Sequence, residues 1–173
     1  MPARIRLGRR FVAYFPEARK PASGLKGENV MEIAKLISGR DPADIIHCAV
    51  DMKVRDVVAL LAEKRIGALP VIEGNMVVGI FSERDLIYRI AEMGEACLDR
   101  AVGDVMTAPA ITVGTHETVL DALGLMTRRR IRHLPVLQDG AMRGFISIGD
   151  LVKSRLDEVG HEAEALRNYI QSA

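Results

Sequence analysis

Two stretches of the chain place apolar residues at intervals of three and four, which is the spacing of one face of a helix. The two sets are Val54, Val57, Val58 and Leu61, and Val119, Ala122, Leu123 and Met126. Two amphipathic helices are therefore predicted, each with its apolar stripe toward a core. Asp51 is expected to be the N-cap of the first helix, since a short polar side chain there can accept a backbone hydrogen bond.

Short apolar runs surround each predicted helix and are typical of buried strands. They span 45–48, 69–72 and 76–81 around the first helix, and 110–113, 134–137 and 142–147 around the second. Further helices are expected at about 28–39, at about 82–93 and from 148 to about 170, with Gly39 and Gly94 ending the first two. A lead-in segment at 102–106 precedes the second half. Each half therefore has the order strand, helix, strand, strand, helix, in the α/β (α+β) class.

The two halves repeat each other at a fixed offset of 65 positions. The sequence RIRHLPV at 130–136 matches RIGALPV at 65–71. Over 64–87 and 129–152, 9 of 24 positions are identical without a gap, against roughly one in fifteen expected by chance. Halves of this size are marginal alone, so we expect them to depend on each other. The expected divisions are a tail at 1–27, units at 28–97 and 98–155, and a helical extension at 156–173.

The composition is that of a globular α/β protein, with 49% hydrophobic, 4% aromatic and 27% charged residues in a chain of 173. The sequence contains no apolar run long enough to span a bilayer. Cys48 and Cys97 form no CxxC motif, and the four histidines are widely separated. We therefore expect neither a disulfide framework nor a metal site, and a reducing, cytoplasmic location.

Residues 1–27 are strongly basic. Seven Arg or Lys residues stand against Glu17 alone, a net charge of +6 from 7 − 1. One interpretation is a flexible arm, or a misassigned start codon. The other is a segment that contacts nucleic acid, an acidic lipid surface or a ligand phosphate. The segment lacks the apolar centre of a secretory signal.

Each half ends its last predicted strand with a serine that is followed three residues later by an aspartate. These pairs are Ser82 with Asp85 and Ser147 with Asp150. At the start of a helix a phosphate can be held by free amides, and the carboxylate can accept both hydroxyls of a ribose. The same pattern also fits a capping box, in which the aspartate only bonds back to the serine. The repetition favours ligand binding, but the carboxylate could do either.

The Leu-Pro-Val strand and the Gly-h-h-Ser-x-x-Asp-Leu segment (h is apolar), each present twice, resemble a pair of cystathionine β-synthase (CBS) domains, the Bateman module. The resemblance covers about residues 30–155. It implies two units packed about a pseudo-twofold axis and adenosine-type ligands in clefts between their sheets. It further implies a homodimer of two modules. AMP, ATP or NAD(H) would be the ligand, and no catalytic cofactor is expected.

The resemblance and the repeat indicate matching cleft residues in the two halves. The expected ligand-binding residues are Ile46, His47, Gly67, Ala68, Leu69, Pro70, Ser82, Arg84 and Asp85, with Ile111, Thr112, Arg130, Arg132, His133, Leu134, Pro135, Ser147 and Asp150. The base would rest on a Leu-Pro edge. Arg132 and His133 are expected to reach the phosphate of a ligand held by Asp150, which would make the second site the better equipped. Arg84 could serve across the cleft.

For several of these residues a structural role explains the sequence as well as a binding role does. His47 fits simple strand packing, His133 fits a half-buried or surface position, and part of the cluster at 128–132 fits a solvated face.

The function expected from these motifs and from the resemblance is ligand sensing without catalysis. The chain has no GxxxxGK[ST], HExxH or GxSxG motif. The alternative is an interaction module that acts on protein or nucleic acid through the basic tail and the last helix, with no physiological nucleotide; binding of nucleic acid is the less expected of the two. If a nucleotide binds, its ribose diol should be free, because a 2′-phosphate would meet the carboxylate.

Overall fold

The computed structural model describes the backbone of residues 4–7 and 11–14 and the whole of residues 31–171. The first two segments are strands β1 (Arg4–Leu7) and β2 (Phe11–Tyr14), which pair antiparallel. The rest of the predicted basic tail, and Glu28 and Val30 of the predicted lead-in helix, lie outside the described residues. Within them, no helix is long and apolar enough to cross a membrane.

Two equivalent units follow a short helix, α1 (Ile33–Leu36). The first contains β3 (Cys48–Ala49), α2 (Val54–Lys64), β4 (Ala68–Glu73), β5 (Met76–Ser82) and α3 (Glu83–Met93). The second contains β6 (Val113–Gly114), α4 (Val119–Arg129), β7 (His133–Gln138), β8 (Ala141–Ser147) and α5 (Ile148–Gln171). Single 3₁₀ segments occupy Pro42–Asp44, Gly94–Asp99 and Val102–Asp104. The α+β class and the element order predicted for each unit are confirmed, whereas β1 and β2 were not predicted.

Each unit has one three-stranded sheet, and the two sheets have the same topology. β3 is parallel to β4 and β4 is antiparallel to β5, with β6, β7 and β8 arranged likewise. Cys48 lies opposite Val71, and Val113 lies opposite Val136. The register of each hairpin also shifts at the same place, after Val71 and after Val136. The 65-residue repeat is therefore present in the strand pairing itself.

The segment that leads into each unit packs on the other unit. Ile33, which is fully buried, and Ile37 join the core of the second unit, whereas Val102 and Met106 join the core of the first. The repeated glycines make room for them: a Cβ atom on Gly144 would stand 3.1 Å from Ile37, and one on Gly79 would collide with Met106. Because each core needs residues from the other half of the chain, the expected interdependence of the halves has a physical basis.

Some predicted boundaries are wrong. The strands expected at 45–48 and 110–113 are β3 and β6, which begin only at the last residue of each run. Asp51 is not the N-cap of α2. β3 continues to Ala49 and a turn follows it, in which the Met52 N–H bonds to the Ala49 carbonyl, so Lys53 occupies the cap position without a side-chain hydrogen bond.

The helices at either end also differ from expectation in length. In the described part of the lead-in, α1 covers only four residues before Gly39, whose φ is +80°. α5, by contrast, runs through Gly160 without interruption.

Candidate functional site

Two clefts lie between the units, and each joins the Ser-x-x-Asp segment of one unit to the residues before the Leu-Pro-Val strand of the other. The Asp150 cleft combines Ser147 and Asp150 with Gly67 and Ala68 and has a volume of about 670 Å³. The Asp85 cleft combines Ser82, Arg84 and Asp85 with Arg130, Arg132 and His133 and has a volume of about 110 Å³. Small-molecule pockets commonly measure about 300–1,000 Å³, so the volume of the first cleft falls within this range and that of the second falls below it.

Both aspartates cap their own helices. Asp150 Oδ2 accepts hydrogen bonds from the Ser147 N–H at 2.8 Å and from its hydroxyl at 2.6 Å, and the Asp150 N–H donates to the Ser147 Oγ at 3.2 Å. Asp85 makes the same contacts with Ser82, at 2.9, 2.5 and 3.4 Å. The capping interpretation therefore holds for one carboxylate oxygen of each residue. The second oxygen, Oδ1, decides what else the residue does.

The two Oδ1 atoms have different partners, and this explains the difference in volume. Asp85 Oδ1 accepts a hydrogen bond from the Thr107 hydroxyl at 2.6 Å. Thr107 is fixed there by two backbone hydrogen bonds with Ile80, each 3.0 Å long, and so fills the cleft. Asp150 Oδ1 instead accepts from Arg40 Nη2 at 2.9 Å. The long, partly exposed Arg40 side chain stands at the border of a cleft that stays open.

Asp150 is an anion at neutral pH. Burial alone would raise the pKa of its carboxyl group, but the hydrogen bonds from Ser147 and the charge and hydrogen bond of Arg40 together hold that pKa below the ordinary value. An ionised carboxylate with one oxygen held in a helix cap is a fixed acceptor for hydroxyl groups.

His133 lies between the clefts and borders both. Its ring stacks on Phe145 with centroids 5.5 Å apart and an interplanar angle of 9°. Burial lowers the pKa of His133, and Arg132 lowers it further, against the opposing effects of Asp150 and Glu83. The imidazole is therefore neutral at neutral pH, and it serves the cleft as a flat wall more than as a cation.

The cationic side chains are distributed differently from the prediction. Arg132 lines the Asp85 cleft and not the Asp150 cleft, which differs from the expected position beside a phosphate held by Asp150. The reason is the pseudo-twofold packing, which places the wall of each unit against the motif of the other. Arg84 does cross between the units, since its Nη1 donates to the Arg130 carbonyl at 2.9 Å. The Asp150 cleft has Arg40 and Arg143 as its cations.

The first amide of each capped helix is already used. The Glu83 N–H donates to the Gly67 carbonyl at 3.0 Å, and the Ile148 N–H donates to the Arg132 carbonyl at 2.8 Å. These bonds tie each helix start to the residue just before the other strand of its own hairpin. They leave less of the helix end for a phosphate than the sequence suggested, so arginine side chains are the better anion partners in these clefts.

Seven expected site residues line neither of the two clefts: His47, Leu69, Pro70, Ile111, Thr112, Leu134 and Pro135. Leu69 and Leu134 are fully buried in the cores, so the Leu-Pro edges are not exposed to a base in either cleft. His47 is exposed, with Nδ1 2.8 Å from the Ile45 carbonyl oxygen. Thr112 is buried. Ile46, Gly67 and Ala68 do line the Asp150 cleft as expected.

Three residues that matter for the clefts were missed from the sequence: Arg40, Thr107 and Arg143. Arg143 stands directly before the repeated glycine of the second unit, and that position could have drawn notice. Arg40 and Thr107 directly follow the two lead-in segments and lie outside the repeated windows. No local pattern links them to aspartates 110 and 22 positions away.

Comparison with known proteins agrees with this architecture. A family model described as CBS domain matches residues 40–92 and 102–157. The mitochondrial CBS domain-containing protein CBSX3 of Arabidopsis thaliana is 35% identical over 159 residues, which are 89% of this chain and 77% of that protein.

Solved structures show the same fold. A CBS-domain containing protein from Agrobacterium tumefaciens superposes with a TM-score of 0.68 at 32% identity, over 72% of this chain and 99% of that one. The structure of CBSX2 in complex with AMP gives a TM-score of 0.63 at 27% identity, over 73% and 97% of the two chains. With two matched copies, a repeated sheet topology and clefts between the units, this chain belongs to the CBS domain family.

Proposed function

We propose that this protein is a regulatory module that binds one adenosine-containing ligand per chain in the Asp150 cleft. The observation that carries the proposal is the combination, in one open cavity of about 670 Å³, of an anionic Asp150 with two arginines and an apolar wall. These are the partners that a ribose, a phosphate and a purine require.

Each part of the ligand has a partner in this cleft. The ribose hydroxyls donate to Asp150 Oδ1, because Oδ2 is committed to the Ser147 cap. The phosphate pairs with Arg40 and Arg143, which border the same cavity. The base lies against Ile46 and Ile66, beside the Gly67–Ala68 backbone.

AMP is the first ligand to test among AMP, ATP and NAD(H). It is the ligand named for the CBSX2 structure, and it has the one ribose and one phosphate that this cleft can engage. We propose no catalytic cofactor and no catalysis. The protein would respond to a ligand that binds two conformations of the paired units with different affinity.

A homodimer is part of the proposal. α3 exposes Ile87 at 64%, Ile90 at 44% and Met93 at 40%, and α5 exposes Val152 at 44%. Ile87 and Val152 occupy equivalent positions of the repeat, 65 residues apart. Large apolar side chains in solvent at matching positions of two helices are typical of a contact with a second copy.

The repeat supplies a matched pair of variants for the decisive experiment. Asp150→Asn and Asp85→Asn alter the same cap in the two units, so both should lower the melting temperature to a similar degree. In calorimetry with AMP, Asp150→Asn should weaken binding by about 1.5–3 kcal/mol, the range for hydrogen bonds to a charged group. Asp85→Asn should leave the affinity within about twofold. Equal affinities for the two variants would mean that Asp150 is only a cap.

The alternative function is protein interaction without a nucleotide. The exposed apolar side chains of α5 beyond the body, from Leu156 to Ile170, favour it. Absence of AMP, ATP and NAD(H) binding, together with a dimer or partner complex that depends on α5, would support that alternative. A cytoplasmic location stays a prediction, and the Arabidopsis relative is described as mitochondrial.

A further inference from the structure

The last helix extends far beyond the body of the protein. α5 buries Leu151 and Ser154 near its start, but every residue from 159 to 171 is exposed. Five large aliphatic side chains of this helix remain in solvent, at exposures of 44–73%, beside the ring of Tyr169 at 74%: Val152, Leu156, Val159, Leu166 and Ile170. A helix end that stays in water does not require such residues. We therefore expect this apolar face to pack against another surface.

The arrangement is a heptad repeat. From Val152 the apolar positions continue at Leu156, Val159, Ala163, Leu166 and Ile170, with spacings of four, three, four, three and four. Leu156, Ala163 and Ile170 take position a, and Val152, Val159 and Leu166 take position d. This seam is narrower than the apolar face of a helix packed on a globular core, and it is the pattern of a helix that pairs with another helix.

We propose that two copies of this chain join their α5 helices, over residues 152–170, in a parallel, in-register two-stranded coiled coil. The inference extends the homodimer of the proposed function and is independent of nucleotide binding. It continues the contact between the bodies, in which Val152 takes part, along α5 for roughly 28 Å at the rise of an α-helix.

The charges beside the seam select a second copy in the parallel direction. In a parallel pair, position g of one helix faces the following position e of the other. Glu162 is at g and Arg167 is at the next e. Glu162 of each copy therefore faces Arg167 of the other, which gives two ion pairs in the dimer.

The antiparallel arrangement would be repulsive. With the same apolar residues in contact, Glu162 would face Glu162 of the second copy, and Lys153 would face Arg167 of the second copy. Like charges across a seam disfavour a pairing and thereby select its direction. The exposed sequence of α5 is therefore complementary to itself in one orientation.

The coil is short, which determines how it works. Helical pairs of three heptads are weak alone, and Gly160 lies at an e position in the middle. Contact between the bodies would hold the two α5 helices at a high effective concentration, and the two contacts would reinforce each other.

Cysteine cross-linking tests the register. Cys48 and Cys97 are buried, so an introduced cysteine is the accessible thiol of the described chain. Ala163→Cys at position a should form an interchain disulfide under mild oxidation, because equivalent a residues lie within bonding range of each other. The neighbouring exposed residue provides the control, and Glu164→Cys at position b should remain unlinked.

Other cross-linking results would overturn the proposal. Equal cross-linking of both variants would indicate random collision. Absence of linkage at residue 163 would contradict parallel pairing. A mixture of Val159→Cys with Ala163→Cys that links more readily than either alone would indicate antiparallel pairing.

A charge exchange tests the direction independently. In sedimentation equilibrium, Glu162→Lys and Arg167→Glu should each weaken dimerisation by about fivefold or more, since each converts two attractive pairs into repulsive ones. The double variant should restore it. An Arg167→Glu variant that dimerises more tightly, or a double variant that stays weak, would overturn the parallel arrangement.

Ligand binding separates this inference from the proposed function. AMP affinity should be unchanged in all three charge variants, because residues 162 and 167 line neither cleft. A coil without AMP binding would leave the inference intact and refute the nucleotide site. AMP binding by a chain whose dimerisation is unaffected by the charge variants would leave the nucleotide site intact and refute the coiled coil.

Discussion

Arg40 Nη2 donates a 2.9 Å hydrogen bond to Asp150 Oδ1, and the two residues are 110 positions apart in the chain. The side chains are 45% and 29% exposed, so the ion pair is in contact with water and contributes little to stability. Its importance is chemical. Oδ1 is the oxygen that a ribose would need, so a bound nucleoside must share it with Arg40 or displace Arg40 toward the phosphate.

The position of Arg40 predicts a phosphate-specific effect. Arg40→Gln should weaken AMP binding by about tenfold or more, as expected for loss of a hydrogen bond between charged groups, and should affect adenosine little. Calorimetry with both ligands gives the ratio. Arg129→Gln, which removes the same charge from the exposed end of α4, is the control and should change neither affinity. Equal losses for AMP and adenosine would contradict this role.

The charge of Asp150 predicts discrimination against a 2′-phosphate. If NAD binds, NADP should bind at least about tenfold more weakly, because its 2′-phosphate would face an ionised carboxylate. Asp150→Asn should narrow the difference by removing the repulsion. Competition against a fluorescent AMP analogue would measure both dinucleotides. NADP affinity equal to that of NAD in the unaltered protein would refute the placement of the ribose.

The crossed cores predict that a small change in α1 destabilises the second unit. Ile33 is fully buried there, so Ile33→Ala should reduce the free energy of unfolding by about 2–5 kcal/mol. Denaturant unfolding followed by circular dichroism would measure it. The exposed neighbour Lys35 offers a matched variant, Lys35→Ala, which should change stability by less than about 0.5 kcal/mol. Similar values for both would mean that α1 is only a surface element.

His133 predicts a loss of stability in mild acid. Its pKa is lowered in the folded protein by burial and by Arg132, so the unfolded chain binds the proton more readily. The stabilisation is complete above the unfolded pKa of about 6.5. It is lost as the pH falls through the folded pKa. Between pH 7 and pH 5 the unaltered protein should therefore lose more unfolding free energy than His133→Gln does. Parallel pH profiles would contradict the effect.

The elements that follow a clear period were predictable from the sequence. α2, α4 and α3 have regular apolar spacing or a serine cap, and the hairpins of β4 with β5 and β7 with β8 alternate around repeated glycines. β3 and β6 were placed too early, because an apolar run such as 45–48 looks the same whether or not a neighbouring strand pairs with it. In the structure only Cys48 and Ala49 have that partner.

The motifs of the candidate site were predictable, but their assembly was not. A 65-residue offset shows that Arg132 corresponds to Gly67, yet it does not show that each faces the aspartate of the other unit. Thr107 and Arg40 distinguish the two clefts, and both lie where the sequences of the two halves no longer match. Their contacts depend on how the lead-in segments cross, which is a property of the packed halves.

The crossing of the lead-in segments has a mechanical consequence for the larger cleft. Ile37 is anchored in the second core, and only three residues later Arg40 contacts Asp150 of that same half. The opposite side, Gly67 and Ala68, belongs to the first half. The cleft thus has two sides, and both members of the Arg40–Asp150 ion pair lie on the same one. Sliding one half against the other would widen or narrow the cleft while keeping the Arg40–Asp150 ion pair intact. Ligand binding in this cleft would therefore depend on the distance between the two halves.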